Sequence, residues 1–200
     1  MRIERAGIHD LSGAYRVCLL TGEAGQDASS ILRDPDLIGH VYVGPYLARR
    51  TGTQLVVVDE AGVCGYLLSA DDTLDFEAWA ERAWWPDLRL RYPLVDDGSR
   101  DVELLRLIHA PERTPPGLAG AYPAHLHIDL LERARGQGLG RALVDRLLVE
   151  LRDRGVPGIH LGVDEANVNA IGFYEHLGFR EVAREPGGLL MGLRLAGWVT

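Results

Sequence analysis

The stretch Arg135-Gly136-Gln137-Gly138-Leu139-Gly140 puts glycine at three alternate positions between a strand pattern and a long amphipathic helix pattern. A turn requires one glycine or two. Three in this spacing mean that the backbone takes φ values closed to other residues, or that something approaches it closely. Upstream, Ala124, Leu126, Ile128 and Leu130 alternate with His125, His127, Asp129 and Leu131, the period of a strand with one apolar face. Downstream, Leu139, Leu143, Leu147 and Leu151 form one stripe of a helix running to about Arg154. Gly155 is placed to cap that helix and Pro157 prevents its continuation. Strand, glycine loop and helix in this order make an anion site, because N–H groups from about Gln137 to Arg141 can point at a phosphate while the helix dipole favours negative charge. Arg133, Arg135 and Arg141 add cations beside it.

Two common phosphate loops do not fit. A dinucleotide fingerprint needs a third glycine where Arg141 or Leu143 stands. A P-loop needs a lysine, and all 21 basic residues of this chain are Arg. The pattern left is R-x-x-G-x-G, carried by Arg135, Gly138 and Gly140. Gly136 lies outside it, so its replacement by Ala is expected to be the mildest of the three.

The remaining chain alternates strands and helices. A short strand at Arg2 to Ala6 precedes a helix from His9 to about Gly22 and a broken helical stretch from Ile31 to Arg50. QLVVVDE and VCGYLLSA then make a hairpin around Ala61-Gly62. Residues 71 to 116 carry Trp79, Trp84 and Trp85 and several prolines, the punctuation of short helices and loops. After the long helix come a strand at GIHLGV, a short helix ending at Gly178, and a closing hairpin around Gly187-Gly188. At 200 residues the chain reads as one domain, with 71–116 as an embedded helical insertion. A net charge of −8 argues against coating nucleic acid. Two cysteines make no disulfide framework, and no apolar run is long enough to cross a membrane, so a cytoplasmic protein is expected.

A second motif lies downstream, NVNAIGFYEHLGF from Asn167 to Phe179. The glycine loop and this segment, in order and separated by one helix and one strand, resemble the GNAT superfamily of N-acetyltransferases. Within it, AYPAHLHIDLLERARGQGLG and the Trp-rich middle are similar to bacterial acetyltransferase-like proteins related to the C-terminal domain of O-GlcNAc hydrolases. The resemblance implies an α/β (α+β) fold: a mixed, mostly antiparallel sheet of about seven strands flanked by helices. It implies acetyl-CoA as cofactor and direct attack of an amine on the thioester.

The resemblance also implies roles. Gly136, Gln137, Gly138, Leu139, Gly140 and Arg141 would hold the pyrophosphate, with Arg135 contributing charge. The backbone around Leu130 and Leu131 would bond the pantetheine like an added strand. Asn167 would bond the cofactor as well as start its helix, and Phe173 would pack beside it. Tyr174 matches the acid that protonates the departing thiolate, a phenol with an ordinary pKa of about 10, although Ala170, Phe173, Tyr174 and Leu177 also form an apolar stripe that would pack as core. His125, His127 and Asp129 share one strand face. Asp129 is read as a substrate-side carboxylate and His127 as a base, against the alternative of a polar strand face satisfied by loops. His125, Trp84, Trp85 and Tyr122 would wall the acceptor. Two His and a carboxylate can bind zinc or iron, but the cofactor loop makes a metal unnecessary and none is expected. Two functions are weighed: an acetyltransferase acting on a primary amine of a small molecule, amino sugar or peptide, and an acetyl-CoA-binding module without turnover. A homodimer is compatible with either.

Overall fold

A computed structural model describes residues 1–185, 187–196 and 198 of the chain. One sheet of seven strands, ordered β1-β2-β3-β4-β5-β7-β6, organises them. β1 (Arg2–Arg5) pairs antiparallel with β2 (Gln54–Asp59), which turns at residues 59–62 into β3 (Gly62–Ala70) and pairs with it antiparallel, with a bulge between Val57 and Val58. The turn is made locally: Asp59 Oδ1 accepts from the Ala61 N–H at 2.9 Å, and Gly62 has φ of 103°.

β3 pairs antiparallel with β4 (Ala124–Leu130) along nearly its whole length, from Gly65↔Leu130 to Ala70↔His125. β4 is followed by a 3-10 turn (Glu132–Ala134), the glycine loop, α8 (Leu139–Asp153) and β5 (Gly158–Asp164). β4 and β5 form the parallel pair expected of a helix crossover, yet they pair only at Ala124↔Ile159 and His125↔His160. Beyond those positions the strands diverge, each held by its other neighbour: β4 by β3, and β5 by β7 (Gly188–Arg194), from Gly158↔Arg194 to Asp164↔Gly188. α9 (Val168–His176) and β6 (Arg180–Glu185) complete the C-terminal half.

Alternation along β4 decides what each face meets. Leu130 faces α8, since a Cβ added at Gly140 would stand 3.4 Å from Leu130 Cδ1. Asp129 faces the other way and accepts from Tyr66 at 2.5 Å, beside the buried Cys18 of α1 (Leu11–Leu19). α8 buries Leu143, Val144, Leu147, Leu148 and Leu151, the stripe anticipated from its period.

The broken helical stretch resolves into α2 (Leu37–Tyr42) and α3 (Gly44–Arg49). Residues before α2 are held instead by a distant carboxylate: Asp101 accepts from the N–H groups of Arg33 and Asp34 at 2.9 and 3.2 Å. Between β3 and β4 lie α4 (Thr73–Ala83), α5 (Trp85–Arg91), α6 (Asp101–His109) and α7 (Pro116–Ala121). Arg89 ties three of them, with a bidentate pair to Glu81 at 2.6 and 3.0 Å and a bond to the Ile108 carbonyl at 2.9 Å. Among the described residues, no helix is long and apolar enough to cross a membrane.

Candidate active site

The divergence of β4 from β5 opens a gap, and a cavity of about 620 Å³ lies along it. Its floor is the glycine loop. Gly136 and Gly138 both take left-handed backbone, φ 72° and 73°, so both favour glycine on conformational grounds, although Gly136 lies outside the R-x-x-G-x-G pattern. Gly138 is the N-cap of α8 and its carbonyl accepts the first helical bond, from Ala142 at 3.0 Å. The N–H groups of Leu139, Gly140 and Arg141 are therefore left without intrahelical acceptors, at the positive end of a 15-residue helix. At Gly140 a Cβ would stand 3.3 Å from Phe173 Cζ, so the missing side chain lets α8 approach α9 across the cavity.

Arg135 lines the cavity too, but two of its donors are turned to backbone carbonyls. Its Nε donates to the Leu130 carbonyl at 2.8 Å and its Nη2 to the Gly25 carbonyl at 2.9 Å, clamping the loop between the end of β4 and the turn at residues 23–26. Gln137 and Arg133 are likewise turned aside: Gln137 donates to the Arg133 carbonyl at 2.7 Å, and Arg133 pairs with Asp59 at 2.7 Å. Arg141 lines the cavity and keeps a largely exposed guanidinium beside Asp145.

The strand edge also needs one correction. The Leu131 N–H donates to the Cys64 carbonyl at 2.9 Å and is unavailable to a ligand. By antiparallel alternation the backbone groups of Ile128 and Leu130 then turn outward, toward the gap. Both residues line the cavity, with the Leu130 carbonyl already taken by Arg135.

α9 forms the opposite wall. Asn167 caps it, its Oδ1 accepting from the Ala170 N–H at 3.1 Å, and also lines the cavity with Asn169 and Phe173. Tyr174 is 7% exposed and its ring packs against Phe173 and Phe179, yet it borders the cavity and its hydroxyl has no hydrogen-bond partner among the described residues. Burial, helped by the charge of Asp129, pushes that hydroxyl well above the usual phenol range, so it stays a donor at neutral pH.

A second cavity of about 380 Å³ meets the first along β4: His127 and Leu126 border one, Ile128 and Asp129 the other. Aromatic walls come from Tyr42, Tyr46, Phe76 and Trp85. Asp129, read from sequence as substrate-side, lies instead on the side of the glycine loop, where burial raises its carboxyl to about 6 against the lowering effect of the Tyr66 hydroxyl. His127 borders the second cavity with neither ring nitrogen bonded among the described residues, and burial pulls it down to about 4. His125 is fully engaged, Nε2 lying 2.6 Å from the Tyr46 hydroxyl and Nδ1 2.7 Å from Thr73 Oγ1. Trp84 and Tyr122 fall outside the lining. Trp84 donates to the His40 carbonyl at 2.9 Å, and the Tyr122 ring lies over Gly158 and Gly192 with Arg194 above it.

A family model described as "Acetyltransferase (GNAT) family" matches residues 66–179, from β3 through the glycine loop to the end of the α9 segment. The chain belongs to this family. As a GNAT acetyltransferase it uses acetyl-CoA, and the residues present fit that cofactor: three orphan N–H groups over two left-handed glycines, and a cavity lined by both the glycine loop and the outward edge of β4. The crystal structure of SsHAT superposes with a TM-score of 0.88 at 35% identity, covering 97% of this chain and 98% of that one. Mycothiol acetyltransferase of Frankia casuarinae is 30% identical over 160 residues, 79% of this chain and 46% of that protein. Protein O-GlcNAcase of Rattus norvegicus is 25% identical over 182 residues, 89% of this chain; the chain spans only about a fifth of that relative's length.

Against this GNAT frame, sequence reading missed the turn at Ala24, Gly25 and Gln26, which lines the cofactor cavity from 100 residues upstream of β4. It also missed His160, which borders the second cavity from β5. The left-handed backbone of Ala24 (φ 49°) and Gly25 (φ 89°) had a local signal in the Ala-Gly pair; His160 had none, since GIHLGV reads as an apolar strand.

Proposed function

We propose that the chain moves the acetyl group of acetyl-CoA to a primary amine of a small molecule, amino sugar or peptide, held in the cavity bordered by His127. One observation carries this reading. β4 and β5 part after His125↔His160, so the cofactor cavity and the aromatic cavity meet at the same stretch of β4.

The N–H groups of Leu139, Gly140 and Arg141 would hold the pyrophosphate, the outward backbone of Ile128 and Leu130 the pantetheine, and Asn167 and Phe173 its far wall. When bound, acetyl-CoA supplies a carbonyl open to amine attack and a sulfur that leaves as thiolate. Tyr174 is the donor for that sulfur, protonated and otherwise unpartnered. His127 holds the incoming amine, and an imidazole at the fork of the strands takes its proton. Asp129 keeps Tyr66 in place beneath the cofactor. Residues 1–200 would act as one acetyltransferase domain, in which the 71–116 insertion supplies Phe76, Trp85 and Glu112 to the acceptor wall.

The test is CoA release over a panel of primary amines. Tyr174→Phe keeps the packed ring, so acetyl-CoA affinity by calorimetry should change little while turnover falls about 100-fold. A wild-type chain that releases no CoA with any amine overturns the reading.

A further inference from the structure

His160 occupies the last paired position before the sheet forks, opposite His125. It is 5% exposed, yet it borders both the His127 cavity and an adjoining one of about 300 Å³ lined also by Glu112 and Glu185. Nδ1 lies 2.7 Å from the Tyr122 carbonyl. A carbonyl only accepts, so Nδ1 carries the hydrogen and Nε2 keeps its lone pair. Nε2 has no hydrogen-bond partner among the described residues. Tyr122 is itself fixed: its N–H closes α7 on the Leu118 carbonyl at 2.8 Å, and its ring is seated on the sheet. The tautomer is thus set by rigid backbone.

The other two imidazoles at the fork differ. Thr73 Oγ1 gives its hydrogen to the Pro123 carbonyl at 2.7 Å, so His125 Nδ1 must donate to Thr73 and its Nε2 accept from Tyr46. Both nitrogens of His125 are used. His127 has no bond that selects a tautomer. His160 alone of the three borders the acceptor cavity with its tautomer fixed and Nε2 left unbonded among the described residues.

We propose that Nε2 of His160 is the base that takes the acceptor amine's proton, an assignment that rests on the acetyl-transfer reading above. An acceptor arrives as an ammonium ion with three hydrogens. His160 takes the first, which frees the nitrogen lone pair. The new N–C bond forms as the C–S bond breaks. A second hydrogen leaves nitrogen for water while Tyr174 delivers its own to sulfur and is reprotonated from water, and the third stays on the product amide. His160 sheds the first to solvent, so one proton is released overall. The groups facing His160 are His125 and His127 from β4, Glu77 from α4, Glu112 and Arg113 from the loop between α6 and α7, and Glu185 from β6. Burial outweighs the raising effects of the Tyr122 backbone, the Glu77 carboxylate and the Ala124 backbone and holds the imidazole below its usual 6.5, so it is a neutral base at pH 7.

His160→Asn keeps a donor for Tyr122 and loses Nε2. With 2-phenylethylamine, glucosamine and an alanine-led peptide as acceptors, turnover should fall about 100-fold or more. The acidic limb of the kcat/KM profile should vanish, and acetyl-CoA affinity by calorimetry should hold. His127→Gln should raise KM and keep the limb. Independently of turnover, the ¹⁵N ring signals of His160 in the wild-type chain should show hydrogen on Nδ1 at pH 7. A His160→Asn enzyme with an intact acidic limb, or hydrogen on Nε2, overturns the assignment while leaving acetyl transfer standing; absence of CoA release from the wild type overturns both.

Discussion

Arg135 bridges two backbone carbonyls, Leu130 at the end of β4 and Gly25 in the 23–26 turn, at 2.8 and 2.9 Å. Its hydrogen bonds position the loop, while its charge stays at the edge of the cavity that the backbone N–H groups floor. A planar guanidinium can span two carbonyls in fixed directions, which an ammonium cannot. Arg135→Lys should therefore lose acetyl-CoA affinity almost as far as Arg135→Ala, about tenfold by calorimetry, given about 1.5 kcal/mol for hydrogen bonds from a charged donor. Full affinity in the Lys variant would mean that charge alone matters at this position.

The glycines separate in a different way from their motif. Gly136 and Gly138 have open space where a Cβ would go but left-handed φ of 72° and 73°. Ala at either should lower stability by about 1 kcal/mol in urea unfolding. Gly140 has ordinary helical backbone but a crowded Cβ position, 3.3 Å from Phe173. Gly140→Ala should act on the cavity between α8 and α9, weakening acetyl-CoA binding more than it weakens the fold.

Asn167 does two things with its two polar atoms. Oδ1 caps α9 through Ala170, and the amide nitrogen faces Gly25 across the cofactor cavity. Asn167→Asp keeps a capping oxygen, so thermal stability should change little. It also places a negative charge where a cofactor bearing phosphates passes, and acetyl-CoA affinity should fall several-fold at low salt, with the deficit shrinking as salt screens the repulsion. Asn167→Ala should lose about 1 kcal/mol of stability.

These residues show what is legible along a chain. Strand, loop and helix around Gly138 are local, and their periods and turn residues announce them. The NVNAIGFYEHLGF segment carries its own cap and stripe. What sequence does not show is the target of a side chain that reaches across the fold: Arg135 finds a carbonyl 110 residues away. The role of Leu131 turns on one hydrogen bond of β3, and that of His160 on where two strands stop pairing and on a carbonyl in α7's last turn. Asp129 and His127 share a strand face by alternation, as read, but the fork sends them to different cavities.

Asp129 makes stability depend on pH. Burial raises its carboxyl from 3.8 to about 6. Between those values the unfolded chain has released a proton that the folded chain still holds, so folding stability falls as pH rises through the window. Asp129→Asn removes the ionisation while leaving an oxygen for the Tyr66 hydroxyl. Relative to wild type, the variant should gain stability with rising pH, by about 3 kcal/mol once both native and unfolded carboxyls have ionised. A wild-type-minus-variant difference that is flat across urea titrations in this range would contradict a raised carboxyl.

The adjacent tryptophans provide a test of which cavity takes the acceptor. Trp85 is 7% exposed and walls the His127 cavity, whereas Trp84 is half-buried and points its Nε1 at the His40 carbonyl, 2.9 Å away. Trp84 also lies so close to α3 that a Cβ at Gly44 would overlap its ring, which makes it a clamp between α2, α3 and the insertion. Phe keeps most of the apolar area at either position. Trp84→Phe loses a buried hydrogen bond and should cost about 1 kcal/mol of stability, with acceptor KM unchanged. Trp85→Phe reshapes the cavity wall and should raise acceptor KM several-fold at nearly constant stability. If instead Trp84→Phe moved KM and Trp85→Phe did not, the acceptor would have to enter on the α2 side, and the cavity shared by His127 and His160 would lose its assignment.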